Sequence, residues 1–232
     1  MCFLHIFYKN MKSLKNMKLL KGGDADRWFS RNFNSLNDNV SSEKIKNLIK
    51  INNLKADKIL EIGCANGFKL NLYSKLLRSK KNYGIDISKK AIQHGKKNYK
   101  NLNLLNISSL EIDKIKLDFD LIICGFYLYH LDRNDIFRQF DLICKKLSQN
   151  GFLLIIDFDP LFKHSNKDLN TKNLISYKMS YDNFLTESGL FEVMYKSKSI
   201  PTHPNKKKFK SDTTSMTLFR KIDFHKKYPE NL

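Results

Sequence analysis

Apolar positions along the chain follow two alternating rhythms. KILEIG (58–63) is a short apolar run closed by a glycine, the length and punctuation of a strand. In FKLNLYSKLLRS (68–79), Phe68, Leu72, Tyr73, Leu76 and Leu77 return at helical spacing. NYGIDIS (82–88) predicts a second strand, Ser88 is placed to cap the helix KKAIQHGKKNY (89–99), and NLNLLNI (101–107) predicts a short third strand. FDLIICGFY (119–127) is a continuous apolar run of the kind buried on both faces of a parallel sheet. In NDIFRQFDLICKKL (134–147), Ile136, Phe137, Phe140, Ile143, Cys144 and Leu147 repeat at the helical period, and Asn150-Gly151 is expected to stop that helix. GFLLIIDF (151–158) reads as the next strand. FEVMYKSKSI (191–200) and SMTLFRKI (215–222) predict a closing antiparallel pair. Upstream, SSEKIKNLIKINNL (41–54) reads as a helix capped by Ser41 or Ser42, with Ile45, Leu48 and Ile49 on one face. Residues 1–24 show no period and end at Gly22-Gly23, DADRWFSRNFNSLND (24–38) is aromatic and polar, and 160–180 is polar and irregular.

Strand and helix alternate, so the expected class is α/β with a mostly parallel, Rossmann-like doubly wound sheet. In such sheets a ligand sits beyond the carboxyl ends of the strands, where the strand order reverses. That places the tips after residues 62, 86, 106, 125 and 157 around one crevice.

Composition adjusts this picture in three places. A hydrophobic content of 41% and 17 Phe argue for a packed core. Lys and Arg number 42 against 23 Asp and Glu, a net charge of +19 that raises a nucleic-acid partner. The excess is nearly all Lys, alongside abundant Asn, and AT-rich codons encode both. Arg, the residue suited to bidentate phosphate contacts, is scarce. Cys2, Cys64, Cys124 and Cys144 form no CxxC pair, and three of them fall in core segments, as expected of small buried hydrophobes in a reducing, cytoplasmic compartment. No apolar run approaches the roughly 20 residues of a membrane span. MCFLHIFY lacks a basic leader and a cleavage site, and Met11 and Met17 are equally eligible starts.

The chemistry concentrates in EIGCANG (61–67), a glycine turn between strand and helix. A triphosphate loop needs GxxxxGK[ST], and no Lys-Ser or Lys-Thr pair stands there. A dinucleotide turn needs G-x-G-x-x-G, and here Gly63 is followed by Ala65 and Phe68. A nucleoside without phosphates fits the spacing. Glycines let the backbone lie close to a ligand, and a carboxylate beside a cationic ligand is favourable where one beside a pyrophosphate repels.

Glu61-x-Gly63-x-Ala65-x-Gly67, with Asp86 at the end of the next strand, resembles the first motif of the class I S-adenosylmethionine-dependent methyltransferases, in which an acidic residue leads three alternating glycines. Ala65 departs from the usual glycine. The resemblance implies a seven-stranded sheet and S-adenosylmethionine as cofactor. It implies that Glu61 helps place the methionine amino group and that Asp86 accepts hydrogen bonds from both ribose hydroxyls, with Ile87 beside it. Asn106 would stand where family members carry the acid that meets the adenine amino group, and Ile107 would lie against the ring.

At the fourth strand tip, CGFYLYHLDR has neither the D/N-P-P-Y/F of base and glutamine methyltransferases nor a cysteine nucleophile after proline. It resembles the small-molecule methyltransferases, many of which carry a histidine at the place of His130. That residue reads as a base or acceptor-positioning group, or as a cap on the following helix. Tyr127 and Tyr129 line an acceptor pocket or fill core. DADRWFSRNF, DFDPLFKHSN and ISYKMSYDNFL resemble bacterial methyltransferases of surface-glycan and nonulosonic-acid pathways. On that likeness residues 1–40 are an N-terminal extension and lid, with Trp28, Phe29, Arg31 and Asn32 over the cofactor. Residues 41–232 form the methyltransferase domain, whose insertion at about 160–180 presents His164, Tyr177 and Lys178 to the acceptor, His164 as a candidate base. A solvated surface loop is the competing reading. Asp157 and Asp159 raise the question of a metal, but D-x-D-P at a strand end reads as turn chemistry and no metal is expected. The implied reaction is methyl transfer to an oxygen, less readily a nitrogen, of a small acceptor, preferably a sugar or nucleotide-sugar, with no membrane partner. The alternatives are an RNA or tRNA methyltransferase, motivated by the charge and by KKKFK (206–210), and a non-catalytic protein that keeps the fold as a binding surface.

Overall fold

A computed structural model of the chain describes residues 16–38, 42–168, 174–199 and 213–223. The opening MCFLHIFY, Cys2, Ser41 and the KKKFK stretch lie outside the described residues. The strands are β1 (Lys58–Ile62), β2 (Lys81–Ile85), β3 (Asn103–Leu105), β4 (Phe119–Gly125), β5 (Leu147–Phe158), β6 (His164–Lys167), β7 (Ile175–Lys178), β8 (Phe191–Ser199) and β9 (Thr214–Lys221). The helices are α1 (Ala25–Asp38), α2 (Ser42–Ile51), α3 (Phe68–Leu77), α4 (Lys89–Asn98), α5 (Ile136–Lys146) and α6 (Asp182–Thr186), preceded by a helical turn at Asn16–Leu19.

Seven strands form one sheet in the order β3-β2-β1-β4-β5-β9-β8. The first five run parallel, and β9 lies antiparallel to both β5 and β8. The expected seven-stranded architecture with its closing antiparallel pair is present. Successive residues point to opposite faces of a strand, so each buried strand feeds two cores. Leu60, Ile62, Ile122, Leu153 and Phe219 pack with Phe140 and Ile143 of α5 on one face. Ile59, Leu121, Ile123, Leu154 and Leu218 pack with Leu48 of α2, Leu70 and Tyr73 of α3 and Ile92 of α4 on the other. The strand order reverses between β1 and β4, and that reversal opens the crevice.

The structure departs from the pattern in six places. Residues 25–38, aromatic and polar in sequence, form helix α1, with Ala25, Trp28, Phe29, Phe33 and Leu36 at helical spacing. The 160–180 segment is not irregular throughout, since β6 and β7 pair as an antiparallel ribbon. β4 stops at Gly125 because Phe126 turns to φ 51°. α5 ends at Lys146, and Asn150, at φ 58°, sits instead inside the long β5, beside a register shift against β4. The buried face of α3 centres on Leu70 and Tyr73, and Phe137 of α5 is 71% exposed against Phe184.

Candidate functional site

The turn after β1 is built by its own backbone. The amides of Gly63 and Cys64 donate to the Ile85 carbonyl at 2.9 and 3.0 Å, and the Gly67 amide donates to the Cys64 carbonyl at 2.8 Å. Gly63 and Gly67 take φ values of 71° and 78°. A Cβ on Gly63 would lie 3.0 Å from Cβ of Tyr127, and one on Gly67 would lie 3.1 Å from methyls of Leu102 and Leu104. Both glycines therefore answer to the protein's own packing as well as to any ligand. Ala65 adopts φ 48°, a left-handed conformation that costs an L-residue roughly 1–2 kcal/mol. Asp86 holds it there: the Ala65 amide donates to Oδ2 at 2.8 Å and the Ser88 amide to Oδ1 at 2.7 Å. Burial pushes the Asp86 carboxyl above its ordinary value, while the Ser88 and Ala65 amides pull it back. Each carboxylate oxygen keeps a further lone pair for a ligand.

A cavity opens beyond the carboxyl ends of these strands. Glu61, Gly63, Ala65, Asp86, Ile87 and Ile107 line one stretch of it, and Phe126, Tyr127, Tyr129, His130 and Phe158 line another. Glu61 is 2% exposed and its Oε2 has no hydrogen-bond partner. Burial pushes this carboxyl up to about 8, against the pull of the Lys69 ammonium. Lys69 also lines the cavity, its Nζ 5.7 Å from the centre of the Phe126 ring.

Helix α1 closes one side. Trp28, Asn32 and Leu36, spaced i, i+4 and i+8, line the cavity together with Met17, Leu20 and Ala25. Phe29 points the other way, 3% exposed, into an aromatic cluster with Phe33 and His94 of α4. Asp26 fastens the helix, since its Oδ1 accepts from Ser88 Oγ at 2.6 Å and from the Lys90 amide at 3.0 Å, an anion at the N-terminus of α4. One chain of hydrogen bonds thus runs from Ala65 through Asp86 and Ser88 to α1. The preceding turn is anchored by Asn16, which is fully buried. Its Nδ2 donates to the carbonyls of His130 and Ile175, and its Oδ1 accepts from the Ile175 amide.

The far stretch of the cavity is aromatic. Phe126, at φ 51°, donates its amide to the Ile156 carbonyl at 2.7 Å. Phe158 meets Phe126 edge-on at 6.1 Å and Tyr129 edge-on at 5.2 Å, and Tyr129 lies 3.9 Å from the His130 ring. Asp157 fixes the turn that carries them, accepting from the amides of Tyr129 and Phe158; burial pushes its carboxyl up to about 7. Tyr127 donates to Gln139 Oε1 at 2.8 Å and also bonds Ser109. His130 Nδ1 is buried without a partner, and burial pushes the imidazole down to about 4, with Asp168 and the Ile175 backbone opposing.

Of the residues expected from sequence, Glu61, Gly63, Ala65, Asp86, Ile87, Ile107, Trp28 and His130 gather in this wall. Gly67 is outside the lining, where a Cβ would meet Leu102 and Leu104. Asn106 faces a neighbouring shallow depression, and its Nδ2 donates to the Asp86 carbonyl at 2.9 Å. Arg31 lies on the outer side of α1, in a depression shared with Arg27 and Lys90. His164 is on β6, its Nδ1 against the Phe162 carbonyl at 2.9 Å, outside the wall. Tyr177 lies under the Arg133 guanidinium, and Lys178 is buried with Nζ 4.1 Å from the centre of the Phe158 ring. Asp159 is committed to Lys196 and Lys198. Among the described residues no three His, Cys, Asp or Glu side chains gather as a metal site. Sequence reading missed Met17, Leu20, Leu36, Lys69, Phe126 and Phe158. Only Lys69, two residues past the last glycine of the turn, carried a signal in its position.

A family model described as a methyltransferase domain matches residues 53–210, more than half of the chain. An uncharacterised protein of Rickettsia prowazekii is 30% identical over 107 residues, 44% of this chain, so the match spans 43% of that relative's length. Among solved structures, the Burkholderia thailandensis 1,6-didemethyltoxoflavin-N1-methyltransferase, with S-adenosylhomocysteine bound, superposes with a TM-score of 0.66 at 11% identity, covering 90% of this chain and 91% of that one. The N-methyltransferase NodS of Bradyrhizobium japonicum, also with S-adenosylhomocysteine, gives 0.56 at 18% identity, covering 79% and 89%. At these identities the structural likeness is one of fold. With the glycine turn, the carboxylate tips and the sheet order in place, the family match is decisive: the chain belongs to the methyltransferase-domain family.

Proposed function

We propose that the chain transfers a methyl group from S-adenosylmethionine to an oxygen, less readily a nitrogen, of a small acceptor. One observation carries the reading: Glu61 presents a buried carboxylate oxygen without a partner to the same cavity that Asp86 and the Gly63–Gly67 turn enter. Such an oxygen is costly unless a cation meets it. The amino-acid end of S-adenosylmethionine carries an ammonium, and its nucleoside carries the hydroxyls that a strand-tip carboxylate can accept. The residues present fit that molecule. Glu61 would hold the ammonium, Asp86 the ribose hydroxyls, and Ile87 and Ile107 the apolar ring face. When bound, it supplies a methyl carbon activated by a cationic sulfur.

The chain's own residues do the rest by placement. Helix α1 acts as a lid, and Trp28 and Leu36 keep water from the reacting atoms. The aromatic stretch from Phe126 to Phe158 positions the acceptor. His130, held neutral by burial, offers a lone pair to the acceptor's hydrogen. The neighbouring proteins named above act, by their names, on nitrogen, and one of them holds 1,6-didemethyltoxoflavin; that favours a small acceptor without fixing the atom. The sugar or nucleotide-sugar acceptor draws on the likeness of the 160–180 segment, whose His164, Tyr177 and Lys178 stand outside the cavity wall. The free thiols of Cys64, Cys124 and Cys144 suit a reducing cytoplasm. Among the described residues no helix is long and apolar enough to cross a membrane.

The test is calorimetric titration with S-adenosylhomocysteine, wild type against Asp86→Ala, followed by incubation of cell extract with methyl-labelled donor. Saturable one-to-one binding that the substitution abolishes, and a labelled small product, are expected. A wild-type protein that binds no S-adenosylhomocysteine overturns the reading. Label that accumulates in RNA instead, with binding that weakens steeply as salt rises, moves the acceptor to the nucleic-acid alternative.

A further inference from the structure

The far end of the cavity has a composition that discriminates between acceptor chemistries. Three aromatic rings, Phe126, Tyr129 and Phe158, line it, with Phe158 6.1 Å from Phe126 and 5.2 Å from Tyr129. Two of the polar groups nearby are spoken for: Tyr127 by Gln139 and Ser109, and the Asp157 carboxylate by the Tyr129 and Phe158 amides. Of the lining residues, the carboxylates are Glu61 and Asp86, both at the other end. What the wall adds is the Tyr129 hydroxyl, the Lys69 ammonium and one buried imidazole nitrogen, His130 Nδ1, without a partner. Cations stand on two of the rings, Lys69 by Phe126 and Lys178 by Phe158.

We propose that the acceptor is a flat, unsaturated ring bearing an acidic, phenol-like hydroxyl, seated against Phe126, Tyr129 and Phe158 with that hydroxyl on His130 Nδ1. The inference rests on the methyltransferase reading above and narrows its acceptor away from saturated sugar hydroxyls. A sugar presents a ring of hydroxyls, each needing a fixed polar partner, and the ring faces of Phe126 and Phe158 offer none. A flat ring stacks on aromatic faces. An ammonium-bearing acceptor is repelled by Lys69 and Lys178, whereas a hydroxyl gathering negative charge is not. Acidity matters because the imidazole is a weak base, pushed down to about 4. A phenol of tyrosine type, near 10, is roughly six pH units away from it, whereas an alcohol as weak as water, about 15.7, is more than ten. In the transfer, the hydroxyl oxygen on the ring forms its bond to the methyl carbon. The bond from that carbon to sulfur breaks, with its electron pair staying on sulfur. The hydroxyl proton passes to Nδ1 and on to solvent.

The experiment uses the full chain loaded with S-adenosylhomocysteine, titrated with 4-methylumbelliferone, with 2-naphthol and with UDP-N-acetylglucosamine. Labelled methyl transfer from S-adenosylmethionine to each is then measured. Saturable binding of a flat hydroxyarene together with label on its oxygen is expected, with the sugar nucleotide idle. His130→Gln is expected to lower kcat at least tenfold with KM within twofold, and Phe158→Leu to raise KM about tenfold with kcat little changed. Label on the sugar nucleotide, or no saturable binding by either flat probe to protein that does bind S-adenosylhomocysteine, overturns the acceptor class and leaves the methyltransferase reading standing. Failure to bind S-adenosylhomocysteine removes both.

Discussion

The two ends of the cavity are built on different principles. At the donor end, a stretch from Glu61 to Ile87 supplies nearly everything, and it does so with backbone: left-handed turns at positions 63, 65 and 67, amides on the Asp86 carboxylate, and strand tips in register. At the acceptor end, side chains come together from the tip of β4 and the end of β5, and they are held by packing and by the buried Asn16, which bonds the His130 and Ile175 backbone. A backbone-built site tolerates little change and is written in a short motif. A side-chain-built site is free to vary, and no local spacing records it.

The sharpest way to break this contrast is Asp86→Asn. At the donor end it removes charge-assisted bonds to a ligand and weakens the clasp on Ala65 and Ser88, each bond worth about 1.5–3 kcal/mol. Affinity for S-adenosylhomocysteine is expected to fall more than a hundredfold by calorimetry. The matching change at the acceptor end is Asn16→Ala, which deletes three side-chain hydrogen bonds and about 3 kcal/mol of stability in denaturant titration. S-adenosylhomocysteine affinity should change by less than threefold, since these bonds touch the His130 and Ile175 backbone and not the turn. Equal losses of donor binding in the two variants would dissolve the distinction.

Glu61 sharpens it through pH. Its carboxyl titrates near 8 when folded and near the ordinary 4.5 when unfolded. Between those values the folded protein holds the extra proton, so stability is greatest at the acid side of the window and falls as pH rises, by up to roughly 1.4 kcal/mol per pH unit. Glu61→Gln should flatten that slope and stabilise the ligand-free protein at pH 8 while weakening ligand binding. In the wild type, affinity for S-adenosylhomocysteine should rise from pH 6 to pH 8 and binding should release a proton at neutral pH. An affinity independent of pH across that range contradicts the assignment. Ala65→Gly is the smallest effect: relief of the left-handed alanine is expected to add about 1 kcal/mol of stability, read as a raised midpoint in urea.

Legibility from sequence followed the same line. The sheet was readable because the buried strands are short apolar runs, and the Glu61–Gly67 turn and Asp86 were readable because a tight turn restricts residue type. Helix α1 was not, although Ala25, Trp28, Phe29, Phe33 and Leu36 recur at helical spacing, because the Asp, Ser and Asn residues between them are also turn formers. The end of β4 was overrun because Phe126 and Tyr127 continue its apolar run, and only the backbone angle at Phe126 reveals the break. Asn150-Gly151 reads as a helix stop, yet β5 had already begun at Leu147, drawn in by pairing with Phe119. His164 carried chemistry by type and likeness alone, and β6 places it beyond the wall.

The most direct measurement of the central claim is a crystal structure of the chain grown with S-adenosylhomocysteine. The account predicts both ribose hydroxyls on the Asp86 carboxylate, the ammonium on Glu61 and the nucleoside along the Gly63–Gly67 turn beneath Trp28. A ligand bound elsewhere, or an Asp86 carboxylate turned away from it, would contradict the account.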